Sequence, residues 1–452
     1  MPFDPNALLI DFAIVSLLLV VGQFIRAKVK FIQSLFLPAS VIAGVIALIL
    51  GPQFLDILPF SDSVSSYANL LVAMLFATLF LGRTEFVSPK KVLSSVGDTF
   101  LNNMLAEFSQ FGVALLFGLV VFGVLFPSLK DAFALLLPAG WAGGYGYATA
   151  IGGVLETYGF TDATTVGLTM ATAGMFTGIL GGLLMINIGT RMGVTNFVKK
   201  MSAVPQEMRT GLIAPENQKP MGMNTTNAGA IDPLAWHLAL VLIATGIGYY
   251  ANAYLKVLIP GVDVPLMCLS MLAGVVIQFI MRMAKMDHYV DKEVIGRIGS
   301  GATDYMVVFG IGTIRIEAVI QYAIPLLLLI LLGFAFCCFF LWVIGPRSFH
   351  NNWFERSIFV WGWATGNVAM GVTLLRIVDP DFESGALDDY GLAYILIAFI
   401  EIALVSLVPV FVGSGFVWQT TLVLLAISVA LFVLMKVGGF WHKAVLREKK
   451  AE

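Results

Sequence analysis

Eleven apolar runs of roughly membrane-spanning length constrain the fold of this chain more than any other feature. About 20 apolar residues of α-helix cross the hydrocarbon core of a bilayer, where the backbone has to satisfy its own hydrogen bonds. Of the 452 residues, 59% are apolar and only 12% are charged, whereas soluble domains carry about 25% charged residues. The sequence therefore predicts an all-α polytopic membrane protein. The predicted spans are residues 8–25, 34–52, 65–82, 99–126, 162–188, 233–255, 262–281, 298–314, 323–345, 389–412 and 416–435.

Charge and cysteine content argue against several other classes of protein. A formal net charge of -2 provides no strongly basic surface, so no nucleic-acid partner is predicted. The three cysteines all lie within apolar runs, which indicates neither a disulfide framework nor a thiolate metal site. Asp4 precedes the first run and Arg26 follows it. This order is the reverse of a signal peptide, so we expect a retained first helix.

Two further apolar stretches, residues 132–157 and 357–378, are interrupted at their centres by glycine and small polar residues. If neither stretch crosses the membrane, 22 of the 26 lysines and arginines fall on the cytoplasmic side, and if both cross, only 13 do. Short cytoplasmic loops are enriched in these residues. The sequence therefore predicts two re-entrant hairpins, at about 131–160 and about 352–382. The same count places the N-terminus outside and the C-terminus in the cytoplasm.

Short matches between the two halves of the chain indicate an internal repeat. Trp141-Ala142-x-Gly144 recurs 222 positions later as Trp363-Ala364-x-Gly366, and Arg83-Thr84-Glu85 has a counterpart in Arg315-Ile316-Glu317. An odd number of spans in each half turns the second half over, so we predict two inverted repeats of five transmembrane helices plus one hairpin each. The predicted division is a first repeat at 1–189, a cytoplasmic connector at 190–232, a second repeat at 233–412, and an extra helix with a basic cytoplasmic tail at 413–452.

The interrupted stretches are the candidate binding site. Non-helical backbone at membrane depth is tolerated only where protein or a water-filled cavity surrounds it. The carbonyl end of each entering half-helix suits a cation, and the N–H end of each leaving half-helix suits an anion. Glycines that only allow close helix packing are the other interpretation. The predicted substrate-binding residues are Gly143, Gly144, Tyr145, Gly146, Thr149, Gly366, Asn367, Thr373 and Arg376.

Ionisable residues inside the predicted spans extend this hypothesis, because a charge at the bilayer centre costs about 2.5–3.5 kcal/mol on insertion scales. Glu401 lies deepest, and Glu107 follows Asn103 by one helical turn. Glu401 suits Na⁺ coupling, and it suits proton coupling as well. Arg376 is placed to hold a substrate carboxylate in a bidentate pair, with a structural ion pair to Asp379 or Asp381 as the alternative. The candidate Na⁺ ligands are Thr172, Thr365, Asn367, Glu401 and Glu107.

The region after the first interruption carries a specific pattern. The Gly143-Gly144-x-Gly146 loop is followed by Tyr158-Gly159-Phe160-Thr161-Asp162-Ala163-Thr164, then by Ala171-Thr172-x-Gly174 and Gly178-x-x-Gly181-Gly182. This pattern resembles the first-half signature of the bacterial sodium/glutamate symporter family, and the resemblance covers most of residues 1–412. It implies inverted repeats of five spans with Gly-rich re-entrant loops, a homodimer, and uptake of glutamate coupled to Na⁺. It also implies that Glu401 stands where the family has a membrane-embedded aspartate.

Three features depart from the family pattern. The second loop, Ala364-Thr365-Gly366-Asn367-Val368-Ala369, contains fewer glycines, and Tyr145 and Tyr147 are bulkier than the residues usual in the first loop. The helix at 416–435 is additional. Because two of these changes touch the presumed pocket, the transport class carries over more safely than glutamate itself.

The predicted function follows from the absence of an ATP-binding motif. No G-x-x-x-x-G-K-[ST] occurs in the sequence, so an ion gradient is the predicted energy source. We predict a secondary active transporter of the bacterial plasma membrane that couples Na⁺ to glutamate or a related acidic amino acid or dicarboxylate by alternating access. A proton-coupled carrier for another organic anion is the alternative, and an ion channel formed by the paired loops is a further one. No catalytic motif indicates an enzyme.

Overall fold

The computed structural model describes residues 4–34, 37–82, 89–197, 206–258, 266–380 and 382–444. Within these residues the chain is helical and contains no β-strand, which confirms the predicted all-α class. The Arg83-Thr84-Glu85 motif, Asp381 and the basic tail after Ala444 lie outside the described residues.

The main helices follow the predicted apolar runs. They are α1 Pro5–Lys28, α2 Ala39–Leu50, α3 Val64–Thr78, α4 Pro89–Phe117, α5 Leu136–Trp141, α6 Gly144–Thr157, α7 Ala163–Met192, α8 Pro233–Leu258, α9 Leu266–Met283, α10 Lys292–Gly312, α11 Ala323–Phe339, α12 Trp353–Thr365, α13 Val368–Val378, α14 Ala386–Gly413 and α15 Val417–Val437. Short helical segments occupy Lys30–Ser34, Gly123–Leu125, Gln206–Thr210, Ile316–Gln321 and Gly345–Ser348. Helix α4 is kinked at Val96, whose φ and ψ of -139° and 35° are not helical.

Eight of the described helices are long and apolar enough to cross a membrane: α1, α4, α7, α8, α9, α11, α14 and α15. Two of the eleven predicted spans are shorter than expected. Helix α2 has 12 residues and α3 has 15, which at 1.5 Å per residue is about 18 Å and about 22 Å. A third, α10, begins at Lys292 and carries Glu293 and Arg297 in its first two turns. All eleven runs therefore form helices, but three of them differ from the expected span in length or in charge.

The chain divides into two compact units. The first contains Met1–Val29, Leu37–Phe86 and Gly211–Ile314, and so holds α1–α3 and α8–α10. In it α8 packs against α9, and α10 packs against α2 and α3. Asp11 of α1 is buried and accepts hydrogen bonds from the backbone N–H of Ser61 at 2.9 Å and from the Tyr67 hydroxyl at 3.0 Å. These bonds tie the segment before α3 to α1.

The second unit contains Lys30–Phe36, Val87–Thr210 and Arg315–Glu452. In it α6 packs on α7, α12 packs on α13, α15 packs on α4, and α14 packs on both α4 and α6. Each compact unit takes helices from both of the predicted sequential repeats. The predicted repeats at 1–189 and 233–412 do not coincide with these units, and the division into repeats stays a prediction.

Both interrupted stretches are broken where the sequence predicts. Helix α5 ends at Trp141 and α6 begins at Gly144, while α12 ends at Thr365 and α13 begins at Val368. Two π-helical turns, Gly118–Phe122 and Phe340–Ile344, extend α4 and α11. Their spacing of 222 residues equals that of the repeated tryptophan motif. Since π-helical turns are rare, this recurrence is a second sign of internal repetition.

Candidate functional site

The two helix breaks contact each other within the second unit. Gly144 opens α6 with a φ of +58°, and a Cβ atom built on it would lie 2.5 Å from the carbonyl oxygen of Gly366. Real Cβ atoms do not come this close to an oxygen, and a positive φ also favours glycine. The backbone at the two breaks is therefore in direct contact, and a side chain at position 144 would separate the two loops.

Asn367 forms the second break by capping α13. The backbone of Asn367 is extended, and its Oδ1 atom accepts a hydrogen bond of 2.9 Å from the N–H of Met370. This is the bond by which asparagine terminates a helix at its N-terminal end. As a result, the carbonyl end of α12 and the N–H end of α13 both lie at the same loop. The Asn367 amide oxygen is thereby engaged with the backbone.

Glycines on α7 let the second loop approach that helix closely. A Cβ on Gly174 would overlap the carbonyl oxygen of Thr365, and a Cβ on Gly178 would lie 2.6 Å from the Thr365 hydroxyl. The indole N–H of Trp361 donates to the carbonyl oxygen of Gly178 at 3.1 Å. For these glycines the packing interpretation applies, because they create space for α12 rather than for a ligand.

Tyrosines at the start of α6 connect the first loop to two other helices. The Tyr145 hydroxyl lies 3.1 Å from Oγ1 of Thr172, which itself donates to the carbonyl oxygen of Leu168 at 2.9 Å. The Tyr147 hydroxyl donates to Oε2 of Glu401 at 3.0 Å. The two tyrosines that the sequence marks as departures from the family pattern therefore link the first loop to α7 and to α14.

Two buried carboxylates lie beside the loops. Glu401 is 5% exposed and Glu107 is 1% exposed, and the two are close enough to interact electrostatically. Tyr394, two turns earlier on α14, also forms a hydrogen bond with Glu401. Among the described residues, no lysine, arginine or histidine forms an ion pair with either carboxylate. The structure thus brings together the two carboxylates that the sequence proposes separately.

Gln110 joins this acidic region to the second loop. Its Nε2 atom donates a hydrogen bond of 3.1 Å to the carbonyl oxygen of Ala364, the penultimate residue of α12. Gln110 is one turn from Glu107 on α4, so one face of that helix contacts both the loop and the carboxylate region. Together the two loops, Gln110 and the two carboxylates form the candidate site.

Comparison with known proteins identifies the class of protein that carries this arrangement. The sequence model of the sodium/glutamate symporter family matches residues 7–373. The chain belongs to this family. Among curated proteins, no match to the chain is found. The matched residues include both helix breaks, α4 with Glu107 and Gln110, and the α7 glycines, whereas Arg376, Glu401 and α15 lie beyond them.

Membership of the sodium/glutamate symporter family confirms the predicted class. The family consists of transporters rather than enzymes, and its name implies symport of an amino acid with Na⁺ through the membrane. Apolar helices of spanning length fit a multi-pass membrane protein. Among the described residues, no group of three or more histidine, cysteine or acidic side chains is placed to hold a metal ion.

Most of the predicted binding residues of this family member lie at or next to the breaks. Gly143, Gly144, Tyr145 and Gly146 surround the first break, and Thr365, Gly366 and Asn367 form the second. Thr172 reaches the first loop through Tyr145. Thr149 is fully buried one turn and a half along α6, and its hydroxyl has no hydrogen-bond partner among the described residues.

Arg376 and Thr373 lie further from the breaks. Arg376 is eight residues after Val368 on α13, which is about 12 Å along a helix. Its guanidinium group stacks over the ring of Phe382 at 4.9 Å. Among the described residues Arg376 forms no ion pair with Asp379, whose carboxylate accepts hydrogen bonds from the backbone N–H groups of Glu383 and Ser384, both at 2.9 Å. The pair with Asp381 stays a prediction, since Asp381 lies outside the described residues. The structure thus places Arg376 at the far end of α13, away from the loop. Thr373 precedes it by one turn.

Three residues of the site escaped the sequence analysis. Gln110 follows Asn103 and Glu107 at a spacing that puts all three on one face of α4. Tyr390 and Tyr394 precede Glu401 by eleven and seven residues, which places all three on one face of α14. A search for polar residues at helical spacing around each buried carboxylate would have found all three, because polar side chains are scarce inside apolar helices.

Proposed function

We propose that this chain is a secondary active transporter that couples the inward movement of Na⁺ to uptake of glutamate or a related acidic amino acid or dicarboxylate. The observation that carries the proposal is the contact between the two helix breaks, Gly144 on the carbonyl oxygen of Gly366. It joins two loops, each with helix ends of opposite polarity, into a single site. Membership of the sodium/glutamate symporter family supports the same function.

The two kinds of helix end suit different transported species. The N-terminal ends of α6 and α13 present backbone N–H groups and a partial positive charge, which suits the carboxylates of the substrate. The C-terminal ends of α5 and α12 present carbonyl oxygens and a partial negative charge, which suits Na⁺. Thr365 and Asn367 lie at the end of α12, and Thr172 contacts Tyr145 at the start of α6. The sequence proposes all three as Na⁺ ligands. Hard oxygen donors are the ligands that a cation of this kind prefers.

Alternating access is the proposed mechanism, and internal repetition supports it. The breaks at 142–143 and 366–367 and the two π-helical turns recur in the two halves of the chain. If the halves are inverted, as charge placement predicts, one fold in two orientations supplies an outward-facing and an inward-facing state of similar energy. We further propose that the transporter works as a homodimer in the bacterial plasma membrane, as the family resemblance implies.

Reconstitution in liposomes tests this function. Purified full-length protein is placed in vesicles with Na⁺ or choline outside, and uptake of radiolabelled glutamate is followed with time. We expect saturable uptake that requires the Na⁺ gradient, with competition by aspartate and by dicarboxylates defining the substrate class. Uptake driven equally well by a proton gradient in the absence of Na⁺ contradicts the proposal and favours the proton-coupled alternative. Unsaturable flux at high turnover favours a channel.

A further inference from the structure

A row of buried acceptor oxygens without partners lies along one face of α4. Oδ1 of Asn103, both carboxylate oxygens of Glu107 and Oε1 of Gln110 are buried, and none has a hydrogen-bond partner among the described residues. The three side chains are 0%, 1% and 2% exposed. Spacings of four and three residues place them on consecutive turns of the same helix face. An unpaired buried acceptor costs about 1–3 kcal/mol, so such a row calls for a ligand.

The direction of both amides follows from what their nitrogens contact. The Asn103 amide donates to the carbonyl oxygen of Thr99 at 2.7 Å, and the Gln110 amide donates to the carbonyl oxygen of Ala364 at 3.1 Å. A carbonyl oxygen only accepts, so the NH₂ group of each amide has to face it. The amide oxygens are therefore the ends that remain free. When Glu107 is ionised, all the unpaired atoms in the row are acceptors, which a cation satisfies and a second acceptor does not.

A tyrosine from α14 contributes to the same place. Tyr390 is 2% exposed, its hydroxyl has no hydrogen-bond partner among the described residues, and it interacts electrostatically with both Glu107 and Glu401. A hydroxyl oxygen is a further hard ligand for a cation. The row on α4 and the hydroxyl on α14 come from helices that pack against each other.

Charged groups on other helices of the second unit have partners of their own, whereas the Glu107 carboxylate has none among the described residues. On α14, Glu401 receives hydrogen bonds from Tyr147 and Tyr394, which stabilise its charge. On α12, Arg356 pairs with Asp389 at 2.6 Å. On α15, Lys436 stacks over Phe432, and on α6 the Glu156 carboxylate accepts from the N–H of Thr164. None of these groups compensates Glu107.

We propose that α4 carries a Na⁺ site centred on Glu107, with the amide oxygen of Gln110 and the hydroxyl of Tyr390 as neutral ligands and Asn103 extending the row on the other side. One Na⁺ neutralises the Glu107 carboxylate, which unlike Glu401 has no hydrogen bond among the described residues, and the remaining ligands are hard oxygens. This inference rests on the proposed function, since it names where the coupling ion binds. It adds Asn103 and Gln110 of α4 and Tyr390 of α14 to the Na⁺ ligands that the sequence predicts.

The same site links the ion to the substrate loop. Gln110 presents its oxygen to the row and its nitrogen to Ala364, so a cation that fixes the amide also fixes the carbonyl end of α12. Ala364 is two residues from Gly366, where the two breaks touch. Ion binding therefore pre-orders the loop, and by linkage the substrate in turn increases the affinity for the ion.

Na⁺ binding to the purified protein, without substrate, tests the inference. Thermal unfolding of the full-length protein in lipid nanodiscs is followed as NaCl replaces choline chloride at constant ionic strength and pH. A ligand that binds the folded state raises the melting temperature in a saturable way. We expect saturable stabilisation by Na⁺ in the wild type, a shift of at least tenfold to higher Na⁺ concentration in Glu107→Gln, and a smaller shift in Gln110→Leu. The control is Ser109→Ala, because the Ser109 hydroxyl donates only within its own helix, to Leu105 and Ala106.

Each outcome decides between the inference and the broader function. An unchanged Na⁺ dependence in Glu107→Gln, or no effect of Na⁺ on the wild type, overturns the site. If Glu107→Gln is not recovered in folded form, Tyr390→Phe supplies the same comparison, with a several-fold shift expected. If Na⁺ stabilises the protein through Glu107 but the protein transports no acidic solute, the ion site is supported and the proposed function is wrong. If Glu107→Gln shows Na⁺-driven glutamate uptake with normal Na⁺ affinity, the proposed function is supported and the ion site is wrong.

Discussion

Gly144 touches the carbonyl oxygen of Gly366, at a distance that leaves no room for a side chain. This contact joins two chain segments that are 222 residues apart in sequence. It follows that the site depends on both loops, on the missing side chain at position 144 and on the backbone carbonyl at position 366, rather than on either loop alone.

Replacing Gly144 with alanine tests that dependence. The φ of +58° and the overlap with Gly366 both oppose a Cβ, and the left-handed backbone alone costs about 1 kcal/mol. We expect Gly144→Ala to reduce Na⁺-driven uptake at least tenfold while the protein still inserts and purifies. The matched control is Gly159→Ala, since Gly159 has a φ of +83° with nothing within 4 Å of its Cβ position. Equal loss in both variants would show that backbone strain, and not loop contact, is responsible.

Tyr147→Phe removes a hydrogen bond to Glu401. The Tyr147 hydroxyl donates to Oε2 at 3.0 Å, and hydrogen bonds to charged groups contribute about 1.5–3 kcal/mol. Because the bond connects α6 directly to α14, we expect a fall in maximal uptake of about tenfold. Tyr158→Phe, at the other end of α6, serves as control. Uptake kinetics that remain normal in Tyr147→Phe contradict a role for this bond in transport.

Arg356 is important for the stability of the second unit. Its guanidinium group pairs with Asp389 at 2.6 Å and donates to Thr99 at 3.1 Å, so it connects α12, α14 and α4. Losing one partner of a buried pair costs about 3–5 kcal/mol, and less here because the Asp389 side chain is 31% exposed. We expect Arg356→Met to lower the melting temperature by several degrees. Arg347→Met is the comparison, since Arg347 bonds only a carbonyl of its own helix. Similar melting temperatures for both variants would exclude this role.

Asp11 is expected to stabilise the first unit. Its carboxylate accepts from the Ser61 N–H, the Ser61 hydroxyl and the Tyr67 hydroxyl. In Asp11→Asn an NH₂ group replaces one of the two carboxylate oxygens. This NH₂ donor then faces a donor of Ser61 or Tyr67. We expect a loss of about 1–3 kcal/mol, measured as a lower melting temperature and faster proteolysis of the segment before α3. Asp4→Asn is the control, because asparagine caps the exposed start of α1 as well as aspartate does. An unaltered proteolysis pattern in Asp11→Asn argues against this account.

Much of the fold was predictable because apolar runs and helix breaks are local features. Every predicted span forms a helix, and both interruptions fall within a residue or two of the expected positions. The lengths of α2 and α3 were overestimated, because an apolar run continues past the turn where a helix ends. Phe80 and Leu81 follow α3 and are buried, so their apolar character reflects packing outside the helix.

The candidate site was predictable only in part. The sequence gives the type of each side chain and its position along an apolar run, but it does not give the direction in which the side chain points. Glu107 and Glu401 stood out as charges in apolar helices, and the loop glycines stood out as breaks. Arg376 was selected for its charge, but the helical rise carries it about 12 Å from the loop. Gln110 was not predicted, because the sequence does not show that the amide nitrogen of this residue donates a hydrogen bond to the carbonyl oxygen of Ala364.

The amino-acid sequence determined the helical class, the positions of the breaks and the family, because hydrophobic length, glycine content and motif spacing are set along the chain. The tertiary structure decided which of these features meet. Contact between Gly144 and Gly366, and the approach of Glu107 to Tyr390 and Glu401, depend on how α4, α6, α12 and α14 pack. Residues up to 294 positions apart share that site, and no local pattern encodes the distance between them.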